Sequence, residues 1–348
     1  LEDFEFNNDG SKLFISVNGD DAIGEYSLLT NYDISTASFI DSYSTADTGD
    51  DQPTPAGLSF NSDGTKFFVL DNRTKVVGEY TTTSAFDLNQ KSTINSTGGT
   101  RTLTVSASET EFDGIVGGSS ALGAISITGA LDLDADITSA TSLSVSTTSD
   151  LGADVTTSGT QTYTGAVTLS ADVNLTGSTI TTNNTVAGGT NDLTVTGNVV
   201  FGDGTTDTVT GVAVLDITGN TTINTNTITT SSTQTYGDAT SDTITIGTAT
   251  TLTTTNSQIT FSGTVNSEAS EANDLTLSVG SSEVQFDAVV GTGTNGALGT
   301  IGITGALDLD AAIGSGATAG ADALTVSTTS NIGADITTTN NQTYTGAV

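Results

Sequence analysis

The chain has no cysteine, histidine, methionine or tryptophan, and only two prolines and six basic residues among 348. Without cysteine there is neither a disulfide nor a thiolate metal site, and a long repeat array manages without such staples. Without histidine or cysteine, Ser-His-Asp triads, thiol nucleophiles and imidazole metal sites are excluded. The bases are Lys12, Lys66, Arg73, Lys75, Lys91 and Arg101, and beyond Arg101 24 acidic residues meet no base at all. Phosphate neutralisation requires Lys and Arg, so nucleic acid is excluded as a partner. An anionic membrane surface repels a chain of net charge -34. No apolar run approaches the length of a spanning helix, so no membrane insertion is expected. The chain opens at Leu1 with no leader sequence, as expected of a processed product or part of a longer chain.

What the chain does have is Thr, Ser, Gly, Asn and Asp, with Val, Ile and Leu recurring at short intervals. That composition suits many short strands, many turns and a thin aliphatic core. Residues 1–90 hold one repeated unit. FNNDGSKLFI from Phe6 recurs as FNSDGTKFFV from Phe60, a step of 54, and Gly24-Glu25-Tyr26 recurs at Gly78-Glu79-Tyr80. Asp-Gly between two apolar runs marks a hairpin, because glycine accepts the positive φ of the turn. The unit resembles a β-propeller blade of the F-x-x-D-G-x-K type found in bacterial surface proteins. Two blades are too few to close a propeller, so the resemblance implies further blades or another mode of packing.

Residues 91–348 carry a second pattern. LTV at Leu103 recurs at Leu193 and as LTL at Leu275; ITG recurs at Ile127, Ile217 and Ile303; QTY recurs at Gln161, Gln234 and Gln342. The first two recur at steps of 82 to 90 residues, giving three repeats, the last incomplete. Apolar residues come as i, i+2 doublets such as Ile125/Ile127 and Leu143/Val145, which place two side chains on one strand face. Strands this short bury a core only by stacking, as in a β-solenoid. The QTYTGAVTL, NLTGSTIT and NDLTVTGNVVF strings, from Gln161, Asn174 and Asn191, resemble the repeat region of filamentous-haemagglutinin-type bacterial adhesins. That resemblance implies a secreted or surface-tethered parallel β-helix. The expected fold is therefore all-β: a parallel β-solenoid preceded by a blade-like segment, with tandem immunoglobulin-like sandwiches as the alternative.

Carboxylates are the remaining candidates for chemistry. Asp132, Asp134 and Asp136 are the best placed for glycoside hydrolysis, but the stacking aromatics of a sugar cleft are lacking, so catalysis is not expected. Calcium suits hard oxygen ligands better. Its candidate ligands are Asp20/Asp21, Asp47/Asp50/Asp51, Asp132/Asp134/Asp136, Asp203/Asp207 and Asp308/Asp310, though none matches an EF-hand or nonapeptide calcium loop. Tyr163, Tyr236 and Tyr344 read as an aromatic ladder over successive repeats, with a sugar platform as the rival. Asn174, Asn183, Asn220 and Asn341 lie in glycosylation sequons. The last string, Gln342, Thr343, Tyr344, Thr345, Gly346, Ala347 and Val348, is an ordinary mid-repeat sequence, expected to contact protein beyond its own preceding rung, in a longer chain or a neighbouring copy. The function expected is an extracellular stalk or filament segment of an adhesin or fibre. The alternatives are a glycan-binding module and a polysaccharide hydrolase.

Overall fold

A computed structural model describes residues 2–17, 22–44, 55–71, 75–82, 86, 93–292, 296–315 and 318–348. The chain divides into two compact units, Leu1–Ser92 and Thr93–Val348.

The first unit holds two antiparallel sheets. One runs β1 (Asp3–Phe6), β2 (Lys12–Val17), β3 (Ala22–Leu28) and β4 (Ala37–Ser44); the other runs β5 (Pro55–Phe60), β6 (Lys66–Asp71) and β7 (Val77–Thr81). The Asp-Gly turns form as the sequence predicts. Asp9 accepts the backbone N–H of Ser11 at 3.0 Å and Asp63 that of Thr65 at 3.1 Å, while Gly10 and Gly64 take φ of 73° and 69°. Aromatic rings dominate this core: Phe14 packs on Phe60 at 4.5 Å, and Phe67 stacks on Tyr80 at 4.9 Å.

The second unit is a parallel β-solenoid of about 11 turns. Its strands pair in parallel, each with the strand one turn before and after, and so the sandwich alternative, which needs antiparallel sheets, does not apply. Three sheets run along it. The first carries Leu103, Ile125, Leu143, Gln161, Ile180 and Val199 in a single file. The second carries Val167, Val186, Val209, Ile228, Leu252 and Leu277. The third carries Val195, Ile217, Tyr236, Phe261, Phe286 and Leu309. Alternate residues point inward, so each i, i+2 doublet contributes two core side chains, and the core is continuous from Phe112 to Val326.

A turn takes 18 residues between Ile125 and Leu143 but 26 between Leu277 and Ile303. Consequently the 82–90-residue sequence step is not a whole number of turns. Ile127 lies on the first sheet, Ile217 on the third and Ile303 on the second, and the three QTY strings follow the same order. Each copy of the repeat is thus displaced by one face.

Glycine marks the corners where a strand passes between sheets. Gly129 and Gly197 have φ of 129° and 133°, and a Cβ on either would stand 1.9 Å from a carbonyl oxygen of the rung below, Ala107 or Gly177 respectively. No other residue fits such an approach.

Candidate functional site

The acidic residues singled out in the sequence fall into separate structural roles. Glu111, Asp132 and Asp150 lie side by side, in register, on the outward face of the second sheet. Beside them the carboxylates of Glu111, Asp113 and Asp134 come within 4.8 Å of one another, all exposed. This is the one such group of three among the described residues. Asp113 above all, then partial desolvation, holds the Glu111 carboxyl above its usual range. Desolvation, then Asp134 and Asp150, does the same for Asp132. These are hard oxygen donors of the kind calcium takes; with one oxygen from each carboxylate, water would have to complete the six to eight oxygens it prefers.

Asp136 is not part of that group. Its Oδ1 accepts the N–H of Asp154, one turn on, at 3.1 Å. The same contact repeats from Asp154 to the N–H of Asn174 at 2.7 Å, from Asp172 to that of Asp192 at 2.9 Å, and from Asp192 to that of Val214 at 2.9 Å. These aspartates form a structural file along the corner before the third sheet, satisfying backbone donors that the ladder leaves open.

Asp203 and Asp207 meet through a backbone contact. Asp207 is buried, and its Oδ2 accepts the N–H groups of Asp203 and Gly204 at 3.1 and 3.0 Å, closing a loop. Asp242 closes a second loop in the same way through Asp238 and Ala239, at 3.1 and 3.0 Å. The signal for both was in the sequence, as FGDGTTDT from Phe201 and YGDATSDT from Tyr236. Asp308 accepts Asn331 Nδ2 at 2.8 Å, and Asp310 stands exposed in the following turn. Asp20, Asp21, Asp47, Asp50 and Asp51 lie outside the described residues.

The three QTY tyrosines sit on three different sheets and do not stack on one another. The aromatic ladder that does form runs along the third sheet, from Tyr236 to Phe261 at 5.3 Å and on to Phe286 at 5.0 Å. Tyr163 and Tyr236 are fully buried, so neither offers a sugar platform. Burial pushes both phenols far above their ordinary range. Each tyrosine donates to the glutamine two residues before it: Tyr163 to Gln161 at 3.0 Å, Tyr236 to Gln234 at 2.9 Å and Tyr344 to Gln342 at 3.0 Å.

Gln161 Nε2 in turn donates to the carbonyl of Val155 at 3.1 Å and, across to the next rung, to that of Thr176 at 2.9 Å. Gln234 reaches the Thr253 carbonyl at 2.9 Å. The motif is a polar clamp between rungs, paired throughout as a buried amide must be. In the final string Gln342 donates to the Ile336 carbonyl at 3.1 Å, Tyr344 pairs with Val326, and the remaining residues from Thr345 to Val348 are exposed.

No known protein family matches the chain, and no match is found among curated proteins or solved structures.

Proposed function

We propose that this chain is a structural segment, a stalk or filament spacer, of a large extracellular adhesin or fibre. The observation that carries the reading is where the solenoid uses its polar chemistry. The glutamine–tyrosine clamps, the closed aspartate loops and the corner aspartates all bond rung to rung or close their own loops. What is left outward is an acidic surface of the kind that stays soluble in an ionic medium. A rung spacing near 4.8 Å makes the solenoid roughly 50 Å of stiff length. The adhesin-like strings from Gln161, Asn174 and Asn191 support the same assignment.

The test is immunogold electron microscopy of the source cells with an antibody raised against the solenoid. Label on surface fibres is expected, and label confined to the cell interior overturns the proposal.

A further inference from the structure

The two blades of the first unit present the same face in two different conditions. The residues at a step of 54 correspond closely: Tyr32 N–H donates to the Gly10 carbonyl at 2.8 Å, as Phe86 N–H does to that of Gly64 at 2.8 Å. In the second blade the face carrying Leu58, Phe60, Phe67 and Val69, with Phe86 beside it, is buried, each residue no more than 9% exposed. In the first blade the corresponding face carries Phe4, Phe6, Leu13 and Ile15, with Tyr32 beside it. Here Leu13 is buried at 4% and Phe6 and Ile15 are half-buried, but the rest of the face is open: Phe4 is 53% and Tyr32 57% exposed, as is the neighbouring Phe39 at 58%.

What covers the second blade's face is the back of the first blade. Phe14 packs on Phe60 at 4.5 Å and Tyr43 on Phe67 at 5.2 Å. Asp3 and Glu5 accept the N–H groups of Leu58 and Phe60, each at 2.9 Å. Lys12, paired with the buried Glu25, also donates to the Phe86 carbonyl at 3.0 Å. The molecule therefore contains a worked example of what this kind of face binds.

The back of the second blade repeats much of that covering surface. Phe68 stands for Phe14, Val77 for Ile23, and the Lys66–Glu79 pair for Lys12–Glu25. Val77 is 58% exposed, and Leu70 is exposed beside it.

We propose that the partly open face of the first blade, through Phe4, Tyr32 and Phe39, binds the back of the second blade of another copy of this chain, repeating the internal contact between molecules. Lys66 would then reach the Tyr32 carbonyl as Lys12 reaches that of Phe86. Gly57 and Ser59 stand where the first blade has Asp3 and Glu5, so the two carboxylate contacts are missing and the intermolecular version is the weaker one. The two surfaces differ, so the contact is head-to-tail and builds a ring or an open chain of molecules rather than a closed pair.

Sedimentation velocity of the full chain between about 1 and 500 µM tests this, a range that covers micromolar and weaker contacts. The wild type should rise past dimer with concentration. Phe4→Asp and Val77→Asp should each sediment as a monomer with an unchanged far-UV CD spectrum, and Phe4→Ser serves if the aspartate perturbs folding. Mixed in equal amounts, the two variants retain one competent pair of faces and should form a heterodimer that stops at two. A wild type that stays monomeric over this range overturns the proposal. So does one that stops at dimer, or a mixture of folded variants that fails to pair.

Discussion

In the solenoid, Ile125, Leu143, Gln161 and Ile180 follow one another along a single sheet, each held by the residue one turn before and after. In the first unit the strands of each sheet pair antiparallel with their chain neighbours, and the core forms where the two separate sheets meet through Phe14, Phe60 and Phe67. The solenoid distributes small aliphatic contacts over many equivalent positions. The blade pair concentrates aromatic contacts in one layer. A stacked array tolerates loops of varied length, since a turn of 18 residues and one of 26 present the same inward pair to the next rung. A two-sheet core has no such freedom, and the 54-residue step is kept without insertion.

The sharpest way to break the comparison is to remove one ring from each core. Phe261→Ala takes the middle member from the Tyr236–Phe261–Phe286 stack, and Phe14→Ala takes the ring that joins the two blades. Each should cost about 3–5 kcal/mol. Thermal unfolding followed by CD should show Phe261→Ala lowering only the solenoid's transition and Phe14→Ala only that of the blade pair. A shift common to both transitions would show that the units unfold as one.

Glycine separates the two architectures next. Gly197→Ala drives a Cβ into the Gly177 carbonyl, a backbone group that cannot swing aside as a side chain can. Its cost should be about 3 kcal/mol, strain and clash together. Gly10→Ala meets only the exposed ring of Tyr32, which can swing away, leaving a cost of about 1–2 kcal/mol for the left-handed backbone. Urea unfolding of the two variants checks the order, and equal costs would refute the close corner contact.

The rung-to-rung clamp predicts a smaller loss. Gln234→Leu keeps the bulk but leaves the Tyr236 hydroxyl without its acceptor and the Thr253 carbonyl without the glutamine's donor. The expected cost is about 1–3 kcal/mol. Gln234→Leu combined with Tyr236→Phe should recover part of it. If the double variant is no more stable than the single one, the hydroxyl is not what the glutamine serves.

These residues also mark how far the sequence could be read. The solenoid was legible because an i, i+2 doublet states which face of a strand is buried, and the Asp-Gly turns because glycine takes their left-handed φ without steric cost. The displacement of each repeat by one face was not legible. It depends on summed loop lengths, which leave no local pattern around Ile127, Ile217 or Ile303. The role of Gln161 was hidden for a similar reason: its two carbonyl partners, Val155 and Thr176, belong to different rungs, and only the stacking brings them together. The separate roles of the aspartates were not legible either, because an exposed carboxylate and one capping a neighbouring rung's N–H look alike in sequence. Asp136 and Asp134 are two residues apart and do different things.

The smallest expected effect, on the order of a degree in melting temperature, comes from acid, and it should move the two units in opposite directions. In the first unit Asp9, Asp33 and Asp63 are held below the ordinary 3.8, chiefly by the Ser11, Ser35 and Thr65 hydroxyls. A lowered carboxylate supplies stability that is present above its unfolded value and lost as pH falls through the folded one, so acid below pH 3.8 weakens the blades. Glu5 is the exception, raised by burial, and it acts only above 4.5. In the solenoid Glu111 and Asp132 are raised above 4.5 and 3.8. Their contribution is present below those values and lost as pH rises through the raised ones, because the folded state then crowds charges that the unfolded chain separates. At low salt the solenoid's transition should therefore rise as pH falls from 7 towards 4.5. Added salt should shrink that gain by screening. Asp134→Asn should reproduce part of it at neutral pH, since it removes one charge from the group around Glu111. Calcium enters as a comparison at matched ionic strength. An extra rise in the wild type that Asp134→Asn lacks identifies bound calcium at Glu111, Asp113 and Asp134, and equal shifts with sodium leave screening alone. A solenoid transition that falls between pH 7 and 4.5 would show that these carboxylates are stabilised by partners in the folded state rather than set against one another.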